Sequence, residues 1–312
     1  MKYDRLGFPI PPEFSPPADA TASPSAAPPR MPRSAPGRGK RAIVLLALCG
    51  IVVPSLFAPA ILPMVRGVVV EWSLDRAVGR EARGNVTGAL AEVGRAIDWS
   101  AEDAMLRCRL LCWRAMLRIE DRDPEAALDD ASAALAAAPT STQPHRVQAL
   151  AHVMLAQPDE ALAAADAAVQ LAGRGNAEAL NHRAYIRGLV GRDLPAALAD
   201  IDAALAGSEG APAEFLDTRG FILHLLGRHQ EAIDQLNLAI DETLQRRRQF
   251  TMLVGRADPD DMAYRLRSLD HGLAVMHHHR GLACRSAGLE AQARQDLEIA
   301  EQKGFDPSRG IF

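Results

Sequence analysis

The chain has 312 residues, enough for one or two domains, and 48% of them are apolar but only 4% are aromatic. Alanine, which favours helices, supplies much of the apolar fraction, and few segments alternate as strands do, so an all-α fold is expected. The net charge is −4, yet residues 1–41 carry seven basic and three acidic side chains, which leaves an acidic body. Such a body is a poor match for phosphate groups, and nucleic acid is therefore not the expected partner.

Residues 1–41 contain 10 of the 21 prolines. Proline removes a backbone donor and fixes φ, so neither helix nor sheet propagates through such a segment. We predict a disordered, Pro-rich tail that is exposed to solvent. Its opening, MKYDRLGFPIPPEF, is more varied in composition and is the alternative candidate for a short docking motif.

Residues 42–65 form a stretch of 24 residues without a charged side chain. A helix that rises about 1.5 Å per residue crosses the roughly 30 Å hydrocarbon layer at this length. We therefore predict a single transmembrane helix, kinked by Pro54, Pro59 and Pro63. A cleaved signal peptide is the alternative, but the leader before it would be longer than is usual.

The orientation of this predicted helix follows from the basic residues beside it. The 15 positions before the span carry five basic side chains, namely Arg30, Arg33, Arg38, Lys40 and Arg41. The 15 positions after it carry three, which are Arg66, Arg76 and Arg80. Because basic residues favour the cytoplasmic side, we expect a cytoplasmic N-terminus and a body on the exported side.

The body, residues 69–312, repeats a helix hairpin. Four stretches share a pattern of small and apolar residues: DPEAALDDASAALAAAP from Asp123, QPDEALAAADAAVQLAG from Gln157, LPAALADIDAALAG from Leu194 and RHQEAIDQLNLAID from Arg228. Each stretch is predicted to be a second helix that follows a first helix after a short turn. The early small residue of the second helix recurs at gaps of 38, 34, 36, 35 and 61 residues, at Ala89, Ala127, Ala161, Ala197, Ala232 and Ala293.

This period resembles that of the tetratricopeptide repeat family, which is about 34 residues. The fifth copy matches the family pattern most closely, whereas the large aromatic residues of the family are mostly absent; the matching residues are Leu216, Gly220, Gly227, Ala232, Leu236 and Ala239. The resemblance implies an α-solenoid of about six stacked antiparallel hairpins, with small residues where helices cross closely. Another α-solenoid of helix pairs is the alternative.

In this family the first helices line a concave groove that binds proteins or peptides. Carried over to this chain, the resemblance gives a line of groove side chains, namely Met116, Leu150, Tyr185, Phe221 and Leu282. It also gives a set of polar neighbours, namely Arg146, Asn181, Asp217, His224 and His278. An apolar line beside polar groups suits an extended or helical peptide. We therefore expect a protein-interaction scaffold with no catalytic residue, no cofactor and no small-molecule substrate. The alternative is that these side chains pack against neighbouring repeats.

An arginine precedes the small residue of the first helix in five of the six copies, and an aspartate often occupies the matching place on the second helix. We predict ion pairs in which the guanidinium binds the carboxylate through two hydrogen bonds. The three predicted pairs are Arg114–Asp130, Arg183–Asp200 and Arg280–Asp296. Separate solvated charges are the alternative.

An insertion at residues 244–270 lengthens the fifth and sixth copies. We expect the second helix of the fifth copy to continue through Arg246–Arg248, followed by a turn at Gly255–Asp258. Asp258 should then cap a new helix that has Pro259 at its first position. The three consecutive arginines are a candidate site for an acidic partner, or a solvated face.

Two clusters suggest an alternative function, a metal- or redox-responsive module: His277 to His279, and Cys108 with Cys112. Neighbouring helical residues point about 100° apart, so His277, His278 and His279 do not share one ion without further ligands. Two cysteines four residues apart are half of a structural zinc site, and no second pair completes it. We therefore expect buried cysteines and no metal.

Overall fold

A computed structural model of the chain describes residues 58–100, 103–252 and 258–306. Within these ranges the regular structure is entirely helical, which confirms the all-α prediction. The predicted Pro-rich tail, 1–41, and positions 42–57 of the predicted transmembrane helix lie outside the described residues. Among the residues that are described, none of the helices has the length and apolar character needed to span a bilayer.

The chain divides into two compact units, Met1–Trp72 and Ser73–Phe312. The described residues of the first unit belong to helix α1, which continues into the second unit. Twelve helices occupy the described ranges, in chain order α1 Ala58–Ala82, α2 Val86–Trp99, α3 Ala104–Glu120, α4 Pro124–Ala137, α5 Gln143–Met154, α6 Pro158–Ala172, α7 Ala177–Val190, α8 Leu194–Gly207, α9 Ala213–Leu225, α10 His229–Thr251, α11 Pro259–Ser286 and α12 Glu290–Gln302. We number the hairpins one to six, so that α3 and α4 form hairpin two.

Short turns separate the helices, and at several of them a side chain accepts from an exposed backbone donor. Asp103 and Asp123 accept hydrogen bonds from backbone N–H groups three residues later, at the starts of α3 and α4. The turns of hairpins five and six contain Gly227 at φ +78° and Gly288 at φ +79°. Hairpin two has Arg122 at φ +64° in its turn, a conformation that glycine adopts without strain.

The small residues that recur in the sequence lie where the two helices of each hairpin cross. All twelve residues are buried, and the alanines among them are only 0–1% exposed. On the first helices they are Ala77, Ala115, Ala149, Ala184, Gly220 and Gly281. On the second helices they are Ala89, Ala127, Ala161, Ala197, Ala232 and Ala293. A Cβ on Gly220 would lie 2.6 Å from Cγ of Leu236, and one on Gly281 would lie 2.8 Å from Cγ of Leu297. A larger side chain would therefore push the paired helices apart.

Successive hairpins stack in register. The first helices contact one another in the order α3, α5, α7, α9 and α11, and each second helix from α2 to α10 contacts the first helix that follows it. This arrangement is an α-solenoid, as the repeat predicted. Buried clusters run across the repeat boundaries, and one of them joins Val169 of α6, Ile201 of α8 and Ile222 of α9.

The three predicted ion pairs within hairpins are confirmed. Nε of Arg183 donates to Oδ2 of Asp200 at 2.8 Å, and Nη2 donates to Oδ1 at 2.7 Å. The pairs Arg114–Asp130 and Arg280–Asp296 have the same two-bond geometry. The carboxylates are buried, because the aspartate residues are only 3–8% exposed. Each pair therefore compensates a charge that the packed helices remove from water.

Three arginines at this position of the first helix, two of them members of these pairs, also reach the preceding hairpin. Nη1 of Arg183 donates to Oδ1 of Asp166 at 2.9 Å, and Nε of Arg219 donates to Oδ1 of Asp202 at 2.7 Å. Arg280 makes the equivalent bond to the amide oxygen of Asn237 at 2.7 Å. These acceptors follow the early small residue of the second helix by five positions, a regular spacing that would have predicted the contact. The arginines thus link neighbouring hairpins as well as the two helices of one hairpin.

Hairpins one, three and five depart from this arrangement in different ways. Hairpin five has Gln235 in place of the aspartate, and its Arg219 binds Asp202 of hairpin four. In hairpin one, Arg76 binds Glu92 at 2.8 Å in place of an aspartate. Hairpin three replaces both charges, with Gln148 on its first helix and Ala164 on its second. Because both charged partners are replaced together, no unpaired charge is buried at this crossing. Burying a single unpaired charge would cost free energy of folding.

The insertion forms a long hairpin from α10 and α11, as expected. The predicted cap is present, since Oδ1 of Asp258 accepts from the backbone N–H groups of Asp260 and Asp261. Positions 255–257 of the predicted turn, together with 253 and 254 before it, fall outside the described residues. Two of the three arginines pair with acidic groups of the chain, because Arg246 binds Glu214 and Arg247 binds Asp270. Because Arg246 and Arg247 already pair with carboxylates of the chain, the predicted site for an acidic partner has less positive charge to offer.

Replacing either of two glycines of α11 with alanine should change the free energy of unfolding, in opposite directions. Gly281→Ala should lower the free energy of unfolding by about 1–3 kcal/mol, because its methyl group meets Leu297 and the carbonyl oxygen of Ala293. Gly272→Ala should raise it by about 0.5–1 kcal/mol, because nothing lies within 4 Å and glycine costs more entropy on folding. Hydrogen exchange of α11 and α12 would report both changes, and effects of equal sign would contradict the proposed crossing.

Two aspartates of α8 should differ strongly in their contribution to stability. Asp200→Ala leaves Arg183 and Arg187 without their buried carboxylate and should cost about 3 kcal/mol. Asp202→Ala removes a partner that is 49% exposed and should cost less than about 1 kcal/mol. Urea unfolding followed by hydrogen exchange in α7 and α8 measures the two losses, and similar losses would refute the buried role of Asp200.

Candidate functional site

The five predicted groove side chains occupy equivalent places on five successive first helices. Met116 of α3 is 40% exposed, and the side chains on α5, α7, α9 and α11 are half-buried, namely Leu150, Tyr185, Phe221 and Leu282. Since these helices lie side by side, the five positions follow one another across the stack. Leu150 also packs against the buried cluster of hairpin three, which includes Ala149 and Ile186. Its outer part alone is therefore accessible.

An aromatic row forms the C-terminal part of this line. The rings of Tyr185 and Phe221 are 6.1 Å apart between centroids and are tilted by 56°. On its other side Phe221 stacks on His279, with centroids 4.6 Å apart and planes 18° apart. Offset and tilted rings at these separations attract one another, so the row is held in place before any partner binds.

Asp217, one of the predicted polar neighbours, supports this row. Its carboxylate oxygen Oδ1 lies 2.9 Å from Nδ1 of His279, and both side chains are buried. The bond fixes the orientation of the imidazole that stacks on Phe221. The carboxylate of Asp217 therefore positions the ring of His279 next to Phe221.

The remaining predicted neighbours have mixed environments. Burial lowers the pKa of His224, whose ring lies 5.2 Å from that of His229. Asn181 is half-buried on α7. Burial lowers the pKa of the neighbouring His182, and the charge of Arg146 on α5 lowers it further. The ring of His278 is stacked on Phe305, which follows α12, with centroids 4.2 Å apart. His278 is thus directed to the end of the chain, and burial lowers its pKa to about 4.

The two clusters behind the metal or redox alternative do not assemble into a site. The three histidines have separate partners, because His277 binds Asp296, His278 stacks on Phe305 and His279 binds Asp217. Across the part of the chain that the structure describes, His, Cys, Asp and Glu side chains form no group of three that would hold a metal ion. The alternative function therefore gains no support from the geometry.

The cysteines of α3 are buried, as expected. Cys108, Cys112 and Cys284 are free thiols that are at most 1% exposed. A hydrogen bond from Cys112 lowers the pKa of Cys108 to about 7, and the same bond raises the pKa of Cys112. Because water and oxidants have little access to either sulfur, this pair is best described as part of the packing between hairpins.

A half-buried carboxylate at the N-terminal end of the line of first helices was not expected from the sequence. Oε2 of Glu81 accepts a hydrogen bond from Nε1 of Trp113 at 2.9 Å. Burial raises the pKa of Glu81 to about 7, against the lowering effect of the Trp113 bond. Glu120 adds to the rise and Arg267 opposes it. No local pattern marks this glutamate, since its environment is made by helices far apart in the sequence.

Glu81 should make stability depend on pH. Its pKa rises from an ordinary 4.5 to about 7 in the folded chain, so the folded state binds more protons than the unfolded state between these values. Stability should accordingly fall by up to about 2 kcal/mol as pH rises from 4.5 to 7 and then level off. Glu81→Gln should remove this fall, which thermal unfolding at about pH 5 and pH 8 would detect. Equal pH dependence in the two proteins would contradict the burial of a protonated Glu81.

Comparison with known proteins gives likenesses of fold. No protein-family model matches the sequence, and no curated protein matches it. The chain is similar to a thermophilic TPR protein of Thermus thermophilus, with 20% identity over 64% of this chain and 98% of that one, at a TM-score of 0.47. It is also similar to a tetratricopeptide repeat protein of Parabacteroides merdae, with 17% identity over 78% and 96% of the two chains, at 0.44.

A third similar structure is the Cut9–Hcn1 hetero-tetramer of the APC/C. It shares 12% identity over 78% of this chain and 47% of that one, at a TM-score of 0.49. All three TM-scores lie below 0.5, so the assignment of an α-solenoid rests on the stacked hairpins of the chain itself.

Proposed function

We propose that this chain is a membrane-tethered scaffold that binds a protein or peptide segment along the groove of its first helices. The observation that carries the proposal is the row of partly exposed side chains at equivalent places on α3, α5, α7, α9 and α11. A continuous apolar row that the neighbouring repeats leave partly uncovered is the feature that a peptide groove requires.

The spacing of the row suggests the form of its partner. Packed helices lie about 8–10 Å apart, and an extended peptide in the polyproline-II conformation has three residues per turn and advances about 3.1 Å per residue. Apolar side chains at every third residue of such a segment lie on one face and would therefore meet successive first helices. The half-buried Tyr185 and Phe221 offer rings that are already oriented, which lowers the entropy lost on binding.

The tether and the orientation of the protein are part of the same proposal. The uncharged segment 42–65 would anchor the chain as a single-pass helix, with the Pro-rich tail on the cytoplasmic side and the hairpins on the exported side. The support is the greater number of basic residues before the segment than after it.

A photoreactive amino acid at Met116 tests the groove. Placed there in the full-length protein in its native membrane, it should give discrete adducts with a partner. The same group at Leu238 of α10, which is 55% exposed, is the matched control and should not. The captured segment, made as a peptide, should bind the Met116→Glu variant at least about tenfold more weakly than wild type, a loss of about 1.4 kcal/mol, while Leu238→Glu binds normally. Equal adducts at both positions would exclude groove binding.

Protease accessibility tests the orientation. In sealed cells or right-side-out vesicles, external protease should digest the hairpins and spare an epitope tag at the N-terminus. The physical reason is that the bilayer shields whatever lies on its cytoplasmic face. Digestion of the hairpins from the cytoplasmic face alone would reverse the proposed orientation, and release of the protein by alkaline carbonate would exclude the tether.

A further inference from the structure

The N-terminal half of α11 reaches the first two hairpins, far away in the sequence. Nη1 of Arg267 donates to the carbonyl oxygen of Glu81 at 2.7 Å, and Nη2 donates to Oε1 of Glu120 at 2.9 Å. Near the start of the same helix, Oδ1 of Asp260 accepts from Nη1 of Arg83 at 3.0 Å. These contacts join residues that are 147 to 186 positions apart. We call residues 259–270 the strap.

Two glycines of hairpin one leave room for the strap. A Cβ on Gly79 would lie 2.5 Å from Oδ2 of Asp260, and a Cβ on Gly84 would lie 2.9 Å from Nη1 of Arg267. Gly84 also has a φ of +72°, so glycine satisfies both the turn and the approach of the guanidinium. The strap therefore fits closely against this hairpin at two points.

The places where the strap binds lie beside the groove line. On α3, Glu120 follows Met116 by four residues, so both side chains are on one face of the helix, one turn apart. On α1, Glu81 follows Val78, the equivalent of Met116, by three residues, with the same result. Arg267 thus bridges the first helices of hairpins one and two at the edge of the groove.

The contacts of the strap are of the kind that open readily. Arg83 and Asp260 are 63% and 53% exposed, and Arg267 and Glu120 are 38% and 34% exposed. Ion pairs with this much access to water contribute little to stability and weaken with salt. At its other end the strap is held more firmly, because Asp270 binds both Arg247 and Lys303. Met262 of the strap is also buried, at 6% exposure, so opening would break the exposed ion pairs and uncover this one apolar side chain.

We propose that the strap closes the N-terminal end of the groove and that release of Arg267 from Glu81 and Glu120 admits the partner to Met116. This inference rests on the proposed function, since it concerns access to the same groove. The strap regulates binding through an equilibrium between closed and open positions, and a ligand shifts that equilibrium only as far as its affinity for the open state exceeds that for the closed state.

A distance measurement tests the strap without any partner. Spin labels on a ketone-bearing amino acid at Asp121 and Ala263, both exposed, avoid the native cysteines. In the full-length protein in detergent, Arg267→Ala should add a second, longer distance to the distribution. Arg265→Ala is the matched control, because Arg265 is also 38% exposed but contacts Asp261 of the strap and the ring of Phe250 on α10. The control should keep the wild-type distribution.

Crosslinking tests the regulatory role. The yield of adducts from the photoreactive group at position 116 should rise severalfold in Arg267→Ala and stay unchanged in Arg265→Ala. An unchanged distance in Arg267→Ala, or a changed distance with an unchanged yield, would overturn the strap proposal and leave groove binding intact. If no variant gives adducts at position 116 while the distance does lengthen, the groove proposal fails and the regulatory inference is overturned with it.

Discussion

The close crossing of two helices at small side chains is the constraint on which this structure depends. At each crossing an alanine or glycine of the first helix faces an alanine of the second, and all of them are buried. One hairpin cannot cover its apolar faces alone, so its stability comes from the next hairpin in the stack. The regular spacing of these small residues also fixes the places of the groove side chains, because each of them directly follows a crossing residue.

Arginine gives this stack a second, directional set of contacts. A guanidinium has five donors in one plane, which lets Arg183 bind Asp200 in its own hairpin and Asp166 in the hairpin before it. Apolar packing tolerates small rotations of one hairpin on the next, whereas hydrogen bonds to two carboxylates do so less. The angle between neighbouring hairpins is therefore set jointly by the small residues and by the arginines.

Sequence reasoning reached the repeat, the solenoid, the pairs within hairpins and the cap at Asp258, because each of these depends on residues that are close in sequence or recur at a fixed period. It did not reach the strap, since the meeting of Arg267 with Glu120 depends on small rotations accumulated over the hairpins between them. The stacking of His278 on Phe305 was likewise out of reach, because Phe305 lies in an irregular segment after the last helix. The repeat predicts which side chains form the groove line, while the exposure of each member required the packed structure.

Hairpin three has a consequence for how the array carries force. Because it has Gln148 and Ala164, this hairpin lacks the arginine–aspartate pair that joins the two helices of hairpins two and four. If the protein is pulled between a bilayer and a bound segment, the tension passes through every interface in series, and the least strongly bonded one separates first. At the boundary between hairpins two and three, Gln148 stands where Arg183, Arg219 and Arg280 cross the three later boundaries, so tension should open this boundary before those three.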